Sequence, residues 1–166
     1  MKWQHTETFK GVVFMYFHVG KYGGKSVEQI MFTDPSYIDW ILNKQSLTGP
    51  LERAKLHIGS LIKKFDAKPF IKVKCRSGTC NNSVTEFTVY FNNIAPVWWC
   101  STCDPYQLGA TPGKLQTLTD YKSALRHVKI YCGGRKPDFK KIIKTIAQAK
   151  GIPARVTEVQ AQEFFK

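Results

Sequence analysis

Val12-Val13-Phe14-Met15-Tyr16-Phe17 is a short apolar run rich in β-formers, and it predicts a strand within Gly11 to Val19. A glycine-rich turn follows at Gly20 to Gly24, and Ser26-Val27-Glu28-Gln29-Ile30 starts a short helix. Asp34-Pro35-Ser36 is a second helix start, with Asp34 as cap and Pro35 at the first helical position. Tyr37, Ile38, Ile41 and Leu42 line one face of that helix, and Trp40 flanks it. Leu51, Ala54, Ile58, Leu61, Ile62 and Phe65 keep helical spacing and predict a third helix from about Pro50 to Phe65.

From residue 69 the pattern changes. Phe70-Ile71-Lys72-Val73-Lys74 alternates like a strand and ends at Cys75. Val84 to Phe91 predicts another, with Phe87, Val89 and Phe91 on one face, and Pro96-Val97-Trp98-Trp99 a third. Asn92-Asn93 marks a turn between the last two. Helical spacing returns after a loop at Gln107 to Gly113. Asp120 is placed to cap a helix through about Tyr131 that ends at Gly133-Gly134. Asp138 is placed to cap the next, with Phe139, Ile142, Ile143 and Ile146 on its apolar face and Gly151 at its end. Thr157-Glu158-Val159-Gln160 is a capping-box start for a last short helix. The fold class expected is α+β without internal repeats: a small N-terminal αβ module at 8–66, β-hairpins at 69–105 and a helical region at 106–166.

Composition sharpens this picture. At 166 residues the chain has room for one or two small domains, and 43% hydrophobic with 22% charged residues excludes wholesale disorder. The net charge of +13 argues for an anionic partner. No apolar stretch is long enough for a membrane-spanning helix, and Met1 to His5 is polar, without a signal-peptide apolar region. The expectation is an intracellular protein of cytoplasm or nucleoid with no membrane partner.

Four of the five cysteines sit in two close pairs, Cys75-x4-Cys80 and Cys100-x2-Cys103. Each pair follows a predicted strand, and zinc takes four soft ligands in a tetrahedron. One structural Zn2+ on these four thiols is expected, against four reduced structural cysteines or one disulfide plus free thiols. The pattern over about residues 69 to 105 resembles the zinc ribbon family; its first knuckle carries four spacer residues where two are more usual. Four cysteines close the metal shell, which disfavours a catalytic metal. Cys132 stands alone and fits a buried helix-end residue.

Gly20-Lys21-Tyr22-Gly23-Gly24-Lys25-Ser26 is one residue short of a phosphate loop, because Val19 stands where the first glycine belongs. That loop, followed by Asp34-Pro35-Ser36-Tyr37-Ile38-Asp39-Trp40-Ile41-Leu42, resembles the small C-terminal domain of exodeoxyribonuclease X over about residues 10 to 45. The family usually has Phe where this chain has Val19. The resemblance implies an accessory module, since the exonuclease's catalytic acids lie in another domain and no catalytic residue carries over. It also implies a nucleic-acid-facing surface at Lys21, Tyr22 and Lys25. Glycine-rich backbone N–H groups and two lysines suit phosphate.

Residues 122 to 150 carry nine basic residues against Asp138 alone. Lys122, Arg126 and Lys129 share one helix face, and Lys140, Lys141 and Lys144 form a basic patch on the next helix. Gly133-Gly134-Arg135-Lys136 joins them. With so few acids for i,i+4 pairing, these stripes suit phosphate tracking. Histidines and acids are scattered, which leaves a small nuclease hard to build but not excluded. The function expected is non-catalytic nucleic-acid binding, DNA favoured over RNA, by an accessory or recruiting protein within a larger complex. Such compact basic zinc proteins suit phage or mobile-element systems. The alternative is an adaptor or inhibitor whose basic face meets an acidic protein.

Overall fold

The computed structural model describes residues 8–9, 12–18 and 20–166; Gly11 and Val19, inside the first predicted strand, lie outside these. The apolar run between them does not build one long strand. β1 (Thr8–Phe9) and β2 (Val12–Val13) form a two-residue antiparallel ladder, and Tyr16 makes an isolated bridge to Ser26. Phe14 and Phe17 are both buried, a spacing of three that a strand cannot place on one face. The backbone pairs instead with the glycine-rich turn: Phe17 N–H donates to Lys25 O at 2.9 Å and Gly24 N–H to Phe17 O at 2.8 Å. Gly20 and Gly24 both hold φ at 76°, which favours glycine.

Three helices follow. α1 (Val27–Thr33) is capped by Ser26, and α2 (Pro35–Asn43) by Asp34 with Pro35 in its first turn, as the start signals predict. α3 (Pro50–Ala67) packs on both, and His57 Nε2 meets the buried Glu28 Oε1 of α1 at 2.6 Å.

The sheet is three-stranded and antiparallel: β3 (Glu86–Tyr90) lies between β4 (Val97–Trp99) and β5 (Leu115–Leu118). Phe87 faces Trp98 on one side and Leu118 on the other. The predicted strand at Phe70–Lys74 is absent. Phe70 is buried, and the N–H groups of Ile71 and Lys72 both donate to Ala149 O, at 2.9 and 3.0 Å. A helix end therefore satisfies the donors that a neighbouring strand would have taken.

Three more helices complete the chain: α4 (Tyr121–Tyr131), α5 (Lys136–Ala149) and α6 (Glu158–Phe164). Asp120 with Ser123 and Thr157 with Gln160 form capping boxes. Asp138 is not the cap of α5. Arg135 occupies that position, and Asp138 sits in the first turn, where a carboxylate suits the helix dipole and accepts from Arg135 Nε at 2.7 Å. Cys132 is the half-buried C-cap of α4.

One apolar cluster runs through all six helices and takes in Phe87, Val89 and Leu118 of the sheet. α1 packs against α6, and α2 against α5. A second small cluster gathers Cys75, Trp99 and Cys100. Among the described residues, no helix is long and apolar enough to cross a membrane.

Candidate metal centre and basic surfaces

Cys75, Cys80, Cys100 and Cys103 converge, with all four Sγ atoms within 4.8 Å of one another. Two antiparallel strands bring the pairs together: β3 follows Cys80, and β4 leads straight into Cys100. Arg76 N–H donates to Trp98 O at 2.8 Å, which holds the first knuckle beside β4. Cys80 Sγ and Cys100 Sγ are 3.5 Å apart. A tetrahedral metal with metal–sulfur bonds of ~2.3 Å needs sulfurs ~3.8 Å apart, so the four thiols fit one ion. Asn82 and Thr102 complete the surroundings. Asn82 N–H donates to Cys80 Sγ at 3.4 Å, and its amide joins Thr102 Oγ1 at 3.1 Å across the two knuckles. The Thr102 hydroxyl and backbone hold the Cys100 thiol at about 5, whereas hydrogen bonding with Cys100 pushes Cys103 up to about 12. The cysteine spacing announces the four thiols; nothing in it announces Asn82 or Thr102.

The glycine-rich loop closes on Asp34. The Asp34 carboxylate caps α2 from Tyr37 N–H, accepts from the Tyr22 and Ser36 hydroxyls, and pairs with Lys21 Nζ at 3.1 Å. Tyr37 is the centre of an aromatic row, 4.9 Å from Tyr22, 5.6 Å from Phe17 and stacked at 5.6 Å on the exposed Trp40. Of the three residues that the resemblance implies for binding, Lys21 is exposed but engaged by Asp34, Tyr22 packs inward, and Lys25 is exposed. Burial pushes the Asp34 carboxyl up, but donors from Ser36, Tyr22, Lys21 and Tyr37 N–H outweigh it and hold it at about 2. A lowered folded-state value means stability present above the ordinary carboxylate range and lost as pH falls through about 2. Asp34→Asn is therefore expected to flatten the loss of urea resistance between pH ~4 and ~2. An unchanged acid limb would contradict the hub role.

The basic helices present their charges unevenly. Lys122, Arg126, Lys129, Arg135, Lys136, Lys140 and Lys141 are exposed, and Lys144 is half-buried. Lys129 pairs with Asp39 at 3.2 Å and Arg135 with Asp138. Lys150 counts in the charge but is absent from the surface. It is 6% exposed, its Nζ donates to Asp66 O and Lys68 O at the end of α3, and it lies 4.3 Å over the Phe70 ring. Burial lowers its pKa. Lys150→Ala leaves those carbonyls unpartnered and is expected to cost ~2 kcal/mol, read as a lower urea midpoint; an unchanged midpoint would contradict the role.

Lys122 and Arg126 meet a neighbour that the basic stripes do not reveal. They face α3 across an open groove of about 940 Å3, whose α3 wall carries Lys55, Gly59, Ile62, Lys63 and Asp66. Lys140, Lys141 and Lys144 do not line it. Helical spacing of Lys55 and Lys63 was the available signal, since residues eight apart share a face.

Residues 17–46 match the family described as Exodeoxyribonuclease X-like C-terminal. The matched segment contains the glycine-rich loop, Asp34, α1 and α2. No curated protein and no solved structure matches the chain significantly. The match relates this segment to a nuclease-associated domain, and the four-cysteine cluster is compatible with a structural metal site.

Proposed function

We propose that the protein is a non-catalytic nucleic-acid-binding accessory or recruiting protein of a DNA or RNA processing system, with one structural zinc. The match of residues 17–46 to a nuclease-associated domain carries this reading, and a net charge of +13 accords with it. Phosphate contacts come from the exposed Lys21 and Lys25 of the loop, Lys122, Arg126 and Lys129 of α4, and Arg135, Lys136, Lys140 and Lys141 on and beside α5, with the half-buried Lys144 beside them. Tyr22 shapes the loop from below. Cys75, Cys80, Cys100 and Cys103 hold zinc in a zinc-ribbon arrangement, where it cross-links two knuckles. Free thiols of this kind belong in a reducing, intracellular compartment. DNA is the favoured ligand. Fluorescence anisotropy of the zinc-loaded protein with labelled single- and double-stranded DNA and RNA tests the reading. Micromolar or tighter binding to one of the four is expected; no binding at low salt overturns it.

A further inference from the structure

α3 carries a glycine in its interior, where helix propensity argues against one. Gly59 lies in the middle of the helix Pro50–Ala67, and such a position costs about 1 kcal/mol relative to alanine. A Cβ placed there would meet nothing within 4 Å, so packing does not require the glycine. Its effect is to leave open the floor of the groove between α3 and α4.

The walls of that groove are cationic. Lys55 and Lys63 stand two turns apart on α3, ~12 Å along the axis. Lys122 and Arg126 stand one turn apart on α4, opposite them. Lys63, Lys122 and Arg126 are exposed and make no ion pair among the described residues. Lys55 donates to Lys44 O at 2.8 Å, a carbonyl that leaves its charge uncompensated. Two carboxylates, Asp66 and Asp120, also line the groove, and four cations against two acids leave it net positive. Asp66 accepts from Tyr121 N–H at 2.8 Å and Asp120 from Ser123 N–H at 2.8 Å, both at the start of α4. Leu42 and Leu56 supply apolar contact, and Leu56 is 72% exposed.

We propose that this groove holds the sugar–phosphate backbone of a single nucleic-acid strand, with Lys55, Lys63, Lys122 and Arg126 on the phosphates and Leu42, Leu56 and the Gly59 floor against the sugars. The proposal rests on the nucleic-acid-binding reading above and names where the strand lies. Cations on both sides of one concave channel suit a strand that passes between them. α3 and α4 pack on each other, and packed helices stand ~8–10 Å apart, a spacing that suits one strand better than a duplex. Single-strand binders pair a charged groove that tracks the backbone with rings that stack the bases; among the described residues no ring lines this groove, so its contacts are to the sugar–phosphate backbone.

The test uses the full-length zinc-loaded protein and a labelled single-stranded DNA oligonucleotide with its matching duplex. Lys63→Glu/Lys122→Glu/Arg126→Glu is compared with Lys72→Glu/Lys114→Glu/Arg155→Glu, which changes net charge equally at exposed positions outside the groove and the basic helices. The groove variant is expected to weaken single-strand binding ~100-fold or more and to lower the salt slope by ~3. The control variant is expected to lose less than ~10-fold. Gly59→Tyr keeps every charge and fills the floor; it is expected to weaken single-strand binding ~10-fold with melting temperature preserved. Equal losses in the two charge variants, tighter binding of the duplex, or an unaffected Gly59→Tyr overturns the groove while leaving nucleic-acid binding in place. Competition by poly-glutamate as strong as by the oligonucleotide assigns the groove to an acidic protein and overturns it too. Wild-type protein that binds no nucleic acid removes the functional reading itself, so the two failures are distinguishable.

Discussion

Replacing Cys100 by serine is expected to abolish stoichiometric metal binding and to lower the melting temperature by ~8–16 °C. The four sulfurs lie within 4.8 Å of one another and surround themselves with Trp99 and Val97. Structural zinc supplies ~10–16 kcal/mol in zinc-finger peptides, where the metal is the core. Here the helices have their own core, so a loss of about 4 kcal/mol is a reasonable share, and each kcal/mol moves the midpoint of a chain this size by ~2–4 °C. The damage has a definite location. The small cluster of Cys75, Trp99 and Cys100 is separate from the main one, which contains no thiol ligand. Helical circular dichroism should therefore persist in Cys100→Ser at room temperature, while the surroundings of Trp99 change fluorescence. Unchanged metal content and midpoint would show that the thiols are only packed, reduced cysteines.

Phe65→Ala is expected to cost ~3–5 kcal/mol and to lower the melting temperature by ~10 °C. Phe65 is fully buried at the end of α3, where four segments meet. Its ring lies 6.2 Å from Phe32 of α1, 5.1 Å edge-on from Tyr121 of α4 and 5.8 Å from Phe164 of α6. Tyr121 adds a 2.7 Å hydrogen bond to Met31 O, so the cavity would open beside a buried polar contact that cannot shift to fill it. Leu56→Ala, on the same helix but exposed, is expected to stay within ~0.5 kcal/mol. Similar effects in the two variants would mean that α3 does not bridge the N-terminal and C-terminal helices. Residues 17–46 carry the loop and two helices, but α5 and α6 cover them.

Local chemistry was legible wherever one residue acts on its immediate neighbours. Ser26, Asp34, Asp120 and Thr157 cap the helices that their sequence positions announce. The cysteine pairs announce a converged cluster because knuckle spacing fixes geometry over a few residues. Failures came where a distant partner decides. Phe70–Lys74 alternates like a strand, yet Ala149 O takes its N–H groups. β5 has four residues and no clear alternation, so only its pairing with β3 defines it. One miss is local instead: Asp138 resembles a cap, but Pro137 at the helix start moves the boundary back to Arg135. Lys150 reads as one more surface lysine, although two aromatic rings and the end of α3 enclose it. The groove was hidden for the same reason: α3 and α4 are more than fifty residues apart in the chain, and only packing sets their cations face to face.

The salt dependence of nucleic-acid binding tests the central claim most directly. Association constants of the zinc-loaded protein with its preferred oligonucleotide would be measured from ~50 to ~300 mM salt. Contact with ~4–6 phosphates predicts a linear log–log plot with slope of ~−3 to −5. A flat plot, or no association at the lowest salt, would contradict a function built on these exposed cations.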